Sequence, residues 1–210
     1  MGAPSIVVDG EQWSGSTASA DLRAVSQQLF GGADSTMIAD WTSPSAFPVA
    51  IATNVRDFGS GTVRVRFNML GGQSDQNAGV LFGLQSTGTY YYIRYNTKDG
   101  DVALWQFADG ERRVVTHGAL RKQLPQNAWH ELVVTVRDRE VRGMIAGDTT
   151  LSVTHTLDSA PRGRVGVWVK RDAITAFQGF SAVAAAPTAL PSTLRRQAVV
   201  HGDGVLGWRH

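Results

Sequence analysis

Cysteine is absent from all 210 residues, which removes disulfides, thiolate metal sites and cysteine nucleophiles together. Nowhere does an apolar run approach the roughly 18 residues that suggest a membrane-spanning helix. Proline is scarce, with 7 residues against 23 glycines, so the chain reads as rich in turns and not as disordered. An excess of one charge is also missing. Twenty Lys and Arg face 18 Asp and Glu, for a formal net charge of +2, and the pI of 9.2 reflects that slim margin. The basic pairs Arg112-Arg113 and Arg195-Arg196 lie far apart. Nucleic-acid binders concentrate their charge, so a nucleic-acid partner is not expected. The opening MGAPSIVVDGEQW has no basic n-region and no long apolar stretch, and is not a leader peptide. An extracellular or periplasmic protein, its leader outside this chain, is the expectation.

What the chain does contain is 42% hydrophobic residues, enough to bury a full core, and a dense β pattern centred on residues 79–107. Residues 80–85, 90–96 and 102–107 are β-prone runs, separated by Ser86-Thr87-Gly88 and by Thr97-Lys98-Asp99-Gly100-Asp101. Both gaps carry turn residues. Alternation puts Tyr91, Ile93 and Tyr95 on one face of the middle run, the core side. Tyr90, Tyr92, Arg94 and Asn96 fall on the other.

The same alternation runs through 62–69, where Val63, Val65, Phe67 and Met69 interleave with Thr62, Arg64, Arg66 and Asn68. Further strands are expected at 6–8, 49–53, 111–116, 129–136, 140–146, 149–154, 164–169 and 177–183. One short helix is expected over 20–30, stopped by Gly31-Gly32. Short strands at intervals of about 8–12 residues, with almost no helix, predict an antiparallel sandwich or barrel. A single domain spans 1–183, most clearly 55–183. The stretch 184–210, rich in alanine, proline and small polar residues, reads as a linker-like tail.

Asn77-Ala78-Gly79-Val80-Leu81-Phe82, then YYYIRYN at 90–96, Trp129-His130, and GRVGVWVKRDAITAFQGF at 163–180 follow in that order. This series resembles the concanavalin A-like lectin/glucanase superfamily, nearest to its laminin-G-like branch with the keto-disaccharide hydrolase-like domains. The resemblance implies an all-β, antiparallel jelly-roll β-sandwich that binds saccharides on its concave face. Two departures bear on activity. Gln178-Gly179 stands where members often carry acids, and no Glu-x-Asp-x-x-Glu pattern occurs.

A sugar site needs flat apolar surface for ring C–H faces and fixed polar groups for hydroxyls. Tyr92, Arg94, Asn96, Trp105, Lys170 and Asp172 supply these types. Arg94, in the middle of the most aromatic strand, must be exposed or paired, with Asp172 as its candidate partner. Glycoside hydrolysis needs two carboxyl groups across a cleft. Asp99 with Asp101, and Asp138 with Glu140, fall in expected hairpin turns and read as solvated. That leaves Asp172 as the candidate acid/base. Asp75 and Asn77 are candidate calcium ligands, though two ligands are few, and no other cofactor is implied. His130-Glu131 lacks the second histidine of a zinc protease, and no P-loop, dinucleotide or nucleophile-elbow motif is present. The leading expectation is a non-catalytic carbohydrate-binding module. A glycoside or keto-disaccharide hydrolase and a protein-interaction domain are the alternatives.

Overall fold

The computed structural model describes residues 5–8, 13–16, 27, 29–31 and 47–186. Its strands are β1 (Ser5–Val8), β2 (Trp13–Ser16), β3 (Val49–Ala52), β4 (Gly61–Gly71), β5 (Asn77–Leu84), β6 (Tyr90–Asn96) and β7 (Asp101–Ala108). After these come β8 (Glu111–His117), β9 (Trp129–Arg137), β10 (Glu140–Ile145), β11 (Asp148–Thr156), β12 (Arg164–Trp168) and β13 (Ile174–Ala184). They form a six-stranded sheet in the order β1-β13-β4-β9-β10-β11 and a seven-stranded sheet in the order β2-β3-β12-β5-β6-β7-β8. All pairings are antiparallel except β1 on β13, which is parallel. The expected antiparallel jelly-roll sandwich is the observed architecture. Among the described residues no helix is long and apolar enough to cross a membrane.

Alternating side chains fill the space between the sheets. Val63, Val65, Phe67 and Met69 of β4 and Leu132, Val134 and Val136 of β9 pack against Val80 and Phe82 of β5 and Ile93 and Tyr95 of β6. Burying each of these apolar side chains contributes on the order of 1.5–3 kcal/mol. The expected split of the tyrosine strand into two faces holds: Ile93 and Tyr95 belong to this core, while Tyr90 and Tyr92 belong to a second apolar cluster.

That second cluster lies on the outer face of the seven-stranded sheet. It joins Val49, Ile51, Leu81, Tyr90, Tyr92, Phe107 and Trp168 to Leu29, with Phe30 and Phe47 packed against it. Of the expected helix only its last turn falls among the described residues. Gly31 closes that turn with its N–H on the Gln27 carbonyl at 3.0 Å. The expected tail from 187 onward lies outside the described residues.

Candidate functional site

The outer face of the seven-stranded sheet divides into a covered part and an open part. On the covered part, Phe47 stacks on Trp168 at 5.8 Å, and Trp168 stacks on Tyr92 at 4.1 Å. The Arg164 guanidinium donates to the Leu29 carbonyl at 2.6 Å and lies over the Phe30 ring. Gly79 makes this packing fit. A Cβ there would sit 3.2 Å from both the Trp168 ring and the Ile93 carbonyl oxygen, so a larger residue would press the ring outward by a few tenths of an ångström. The open part is a cleft of about 310 Å³ lined chiefly by polar and charged side chains. That volume is at the lower end of the roughly 300–1,000 Å³ typical of small-molecule sites.

Arg94 is the centre of the cleft. Its Nη1 donates to Asp101 Oδ1 and its Nη2 to Asp99 Oδ2, both at 2.8 Å. Asp101 is fully buried, and its second oxygen meets His117 Nδ1 at 2.5 Å. The β6–β7 turn makes this clasp possible. Gly100, at φ +70°, donates its N–H to the Asn96 carbonyl at 2.7 Å, a conformation that favours glycine. The Asn96 side chain also accepts from the Lys98 N–H at 3.0 Å and donates to Asp99 at 3.1 Å. The structure therefore corrects two expectations. Asp101 is not a solvated turn acid, and the partners of Arg94 are Asp99 and Asp101, not Asp172. A buried guanidinium requires such matching, since an unpaired charge there is strongly destabilising.

The opposite wall is the 72–76 loop. Asp172 accepts backbone N–H groups from Gln73 at 2.8 Å and from Ser74 and Asp75 at 3.1 Å or less. Lys98 Nζ donates to the carbonyls of Gln73 and Ser74, so the loop is held by both its donors and its acceptors. The Ser74 amide, foremost, holds the Asp172 carboxyl below its ordinary value, against the opposing effect of burial and with help from the Gln73 and Asp75 amides. Asp75 faces two cations, Lys170 at 3.3 Å and Arg171 at 3.5 Å. Burial pushes the Lys170 ammonium down, and the Asp75 charge offsets part of that. The candidate calcium ligands thus have other partners. Asp75 meets cations, and Asn77 Oδ1 accepts the Lys170 N–H at 3.0 Å. Among the described residues no group of three or more metal-ligating side chains gathers.

Of the residues singled out from the sequence, Arg94, Asn96, Trp105 and Lys170 line the cleft, and so does Asp75. Tyr92 has no exposed surface. It backs Trp105 at 6.3 Å, and burial pushes its hydroxyl up. Asp172 holds the loop through its backbone amides and is not part of the lining.

Trp105 is not a bare platform either. The Arg112 guanidinium sits over its ring at 4.4 Å, and His117 meets it edge-on at 6.1 Å. Asp99 and Asp101 line the cleft too, and the remaining lining residues, Arg112, His117, Lys98, Ser74 and Arg121, were not foreseen. A bulge explains His117. Trp105 pairs with Val114 and Leu104 with Thr116, so Val115 is the extra residue. Past it the alternation inverts, which puts His117 on the cleft face opposite Ala103.

No protein-family model matches this sequence, and no curated protein matches it. Solved structures do resemble it. The carbohydrate-binding module CBM66 from Bacillus subtilis superposes with a TM-score of 0.56 at 16% identity, over 66% of this chain and 81% of that one. A protein of unknown function with a galectin-like fold from Bacillus subtilis gives 0.48 at 13% identity, over 69% and 81% of the two chains. Chicken galectin 2 gives 0.46 at 8% identity, over 60% and 93%. At 16% identity the likeness to the first of these shows the fold alone, a jelly-roll β-sandwich.

Proposed function

We propose that the protein is an exported, non-catalytic carbohydrate-binding module whose saccharide occupies the cleft beside Trp105, taken as the concave face of the sandwich. One observation carries this reading. Arg94, Asp99, Asp101, His117 and Asn96 form a closed set of hydrogen bonds in a cleft of small-ligand size. Groups fixed before the ligand arrives give orientation at low entropic cost, which is what reading sugar hydroxyls requires. One fold match reported above, at a TM-score of 0.56, is itself a carbohydrate-binding module, which supports the reading by analogy of architecture.

The same hydrogen bonds speak against a hydrolase. Cleavage of a glycoside needs one carboxyl group that can donate a proton and a second that can act as base or nucleophile. Asp99 and Asp101 share the Arg94 guanidinium and Asp75 faces Lys170 and Arg171. Asp172 accepts three backbone amides, which favour its charged form. A protein-docking face would present a flat apolar patch. Among the described residues the large exposed apolar side chains are Leu70, Val114, Leu120, Trp129 and Val183, and none of them lines the cleft.

A glycan array read with the parent protein and with Trp105→Ala and His117→Ala, followed by chromatography of the bound glycans, tests the proposal. Saturable binding, weakened in both variants and without cleavage, is expected. Released product would establish the hydrolase instead, and absence of binding to every glycan would refute the saccharide reading.

A further inference from the structure

The cleft is lined by five cations, Arg94, Lys98, Arg112, Arg121 and Lys170, against three carboxylates, Asp75, Asp99 and Asp101. All three carboxylates are engaged by cations of the protein. Both Asp101 oxygens are taken, by Arg94 and His117. Among the described residues, Arg112 and Arg121 have no carboxylate within ion-pair distance.

Arg112 is held in place by aromatic rings, 4.4 Å from the Trp105 centroid and 5.3 Å from that of Phe47. Its polar neighbour beneath is the Tyr92 hydroxyl, and a guanidinium, with five N–H donors, has more than that one contact can use. Arg121 belongs to a pinned segment. The Gly118 N–H donates to the Val102 carbonyl at 2.8 Å and the Lys122 N–H to the Gly100 carbonyl at 2.7 Å, while Lys122 Nζ pairs with Asp148 at 2.7 Å.

A neutral sugar presents hydroxyls that both donate and accept, and is best met by a balance of the two. This cleft is short of unused acceptors and long on charged donors. Its aromatic ring is overlaid by a guanidinium, which diminishes stacking as a source of affinity. An anionic oxygen cluster is the ligand group that such a surface complements.

We propose that the cleft selects an anionic saccharide, one carrying a carboxylate, sulfate or phosphate group, which Arg112 and Arg121 receive. The inference rests on the saccharide reading above and narrows it to a ligand class.

Titration calorimetry with matched short oligosaccharides tests it. The arms are a neutral oligosaccharide and its hexuronate-bearing, sulfated and phosphorylated counterparts, in a buffer free of phosphate and sulfate. At least one anionic arm is expected to bind about tenfold or more tightly than the neutral arm, and the arm that does so identifies the group. Raising NaCl from about 0.05 to about 0.5 M is expected to weaken that arm severalfold, since the Debye length shortens across that range. Arg112→Gln and Arg121→Ala are each expected to lose about tenfold or more on the anionic arm and little on the neutral one. Arg121 is exposed, so its variant keeps the fold if Arg112→Gln does not. Equal affinity for neutral and anionic arms, unchanged in Arg121→Ala, would overturn the anionic class and leave the saccharide reading standing. Binding in no arm would overturn both.

Discussion

Along β4, in the six-stranded sheet, buried and more exposed residues alternate from Gly61 to Gly71, whereas every residue of β5, in the seven-stranded sheet, is buried. The first sheet turns its outer face to water. There Arg64 approaches Glu131 at 3.7 Å, and Arg66 lies 5.2 Å from the centre of the Trp129 ring. The central strands of the second sheet keep their outer face covered or recessed, and Arg94 there is only 5% exposed. Both faces pair arginine with acid and with tryptophan. Solvent decides what those pairs are worth: an exposed pair contributes about 0–1 kcal/mol, while breaking a buried one costs about 3–5 kcal/mol.

Trp168→Ala is the harshest way to break the contrast. It empties a fully buried position between Phe47 and Tyr92 and is expected to cost about 3–5 kcal/mol in denaturant unfolding. Trp129→Ala, at a position 41% exposed, is expected to cost less than about 1 kcal/mol. Similar losses would erase the distinction between the faces.

Asp101→Asn sharpens the electrostatic side. It leaves the buried Arg94 with the half-exposed Asp99 as its remaining carboxylate and is expected to cost about 3 kcal/mol. Adding Arg94→Met should recover part of that loss. A double-mutant cycle on Arg64 and Glu131 should give a coupling below about 1 kcal/mol.

The smallest effect is local and depends on pH. Because the folded Asp172 carboxyl titrates below its ordinary value of 3.8, its contribution is present above about pH 4. That contribution is lost as pH falls through the depressed folded value. Amide exchange at Gln73, Ser74 and Asp75 should accelerate in that acid window, and Asp172→Asn should abolish the acid dependence. Acceleration on raising the pH from 4 to 6, after correction for intrinsic exchange, would contradict the clasp.

The strands were legible because alternation in β4 and β9 and the turn residues between β6 and β7 are local signals. The tyrosine strand was read with its observed ends, 90–96, and both of its faces correctly. The cleft was legible only in part, and the misreadings trace to strand ends. Starting β7 at 102 put Asp101 in the turn, although as the first residue of the strand it pairs with Asn96 and shares a face with Trp105. Ending β8 at 116 left out His117, and strict alternation would have turned it away from the cleft without the bulge at Val115. The clasp of Asp172 on the 72–76 loop joins residues nearly a hundred positions apart, a pairing that no local pattern encodes. The stacking platform inferred from Tyr92 and Trp105 took tyrosine and tryptophan as surface. Tyr92 is buried because Trp168 arrives from another strand, with Phe47 stacked behind it, and half-buried Trp105 is overlaid by Arg112.

The ties that close the cleft span long stretches of chain: 24 residues from Lys98 to Ser74, 95 from Lys170 to Asp75 and 98 from Asp172 to Ser74. Closing such loops costs entropy before any contact repays it. The sheets meet the same cost, since β13 reaches β4 from Ile174 to Gly71, so an intact cleft requires the intact fold. A ligand that binds this cleft and not the unfolded chain therefore stabilises the whole sandwich by mass action, and the midpoint of unfolding should climb with its concentration.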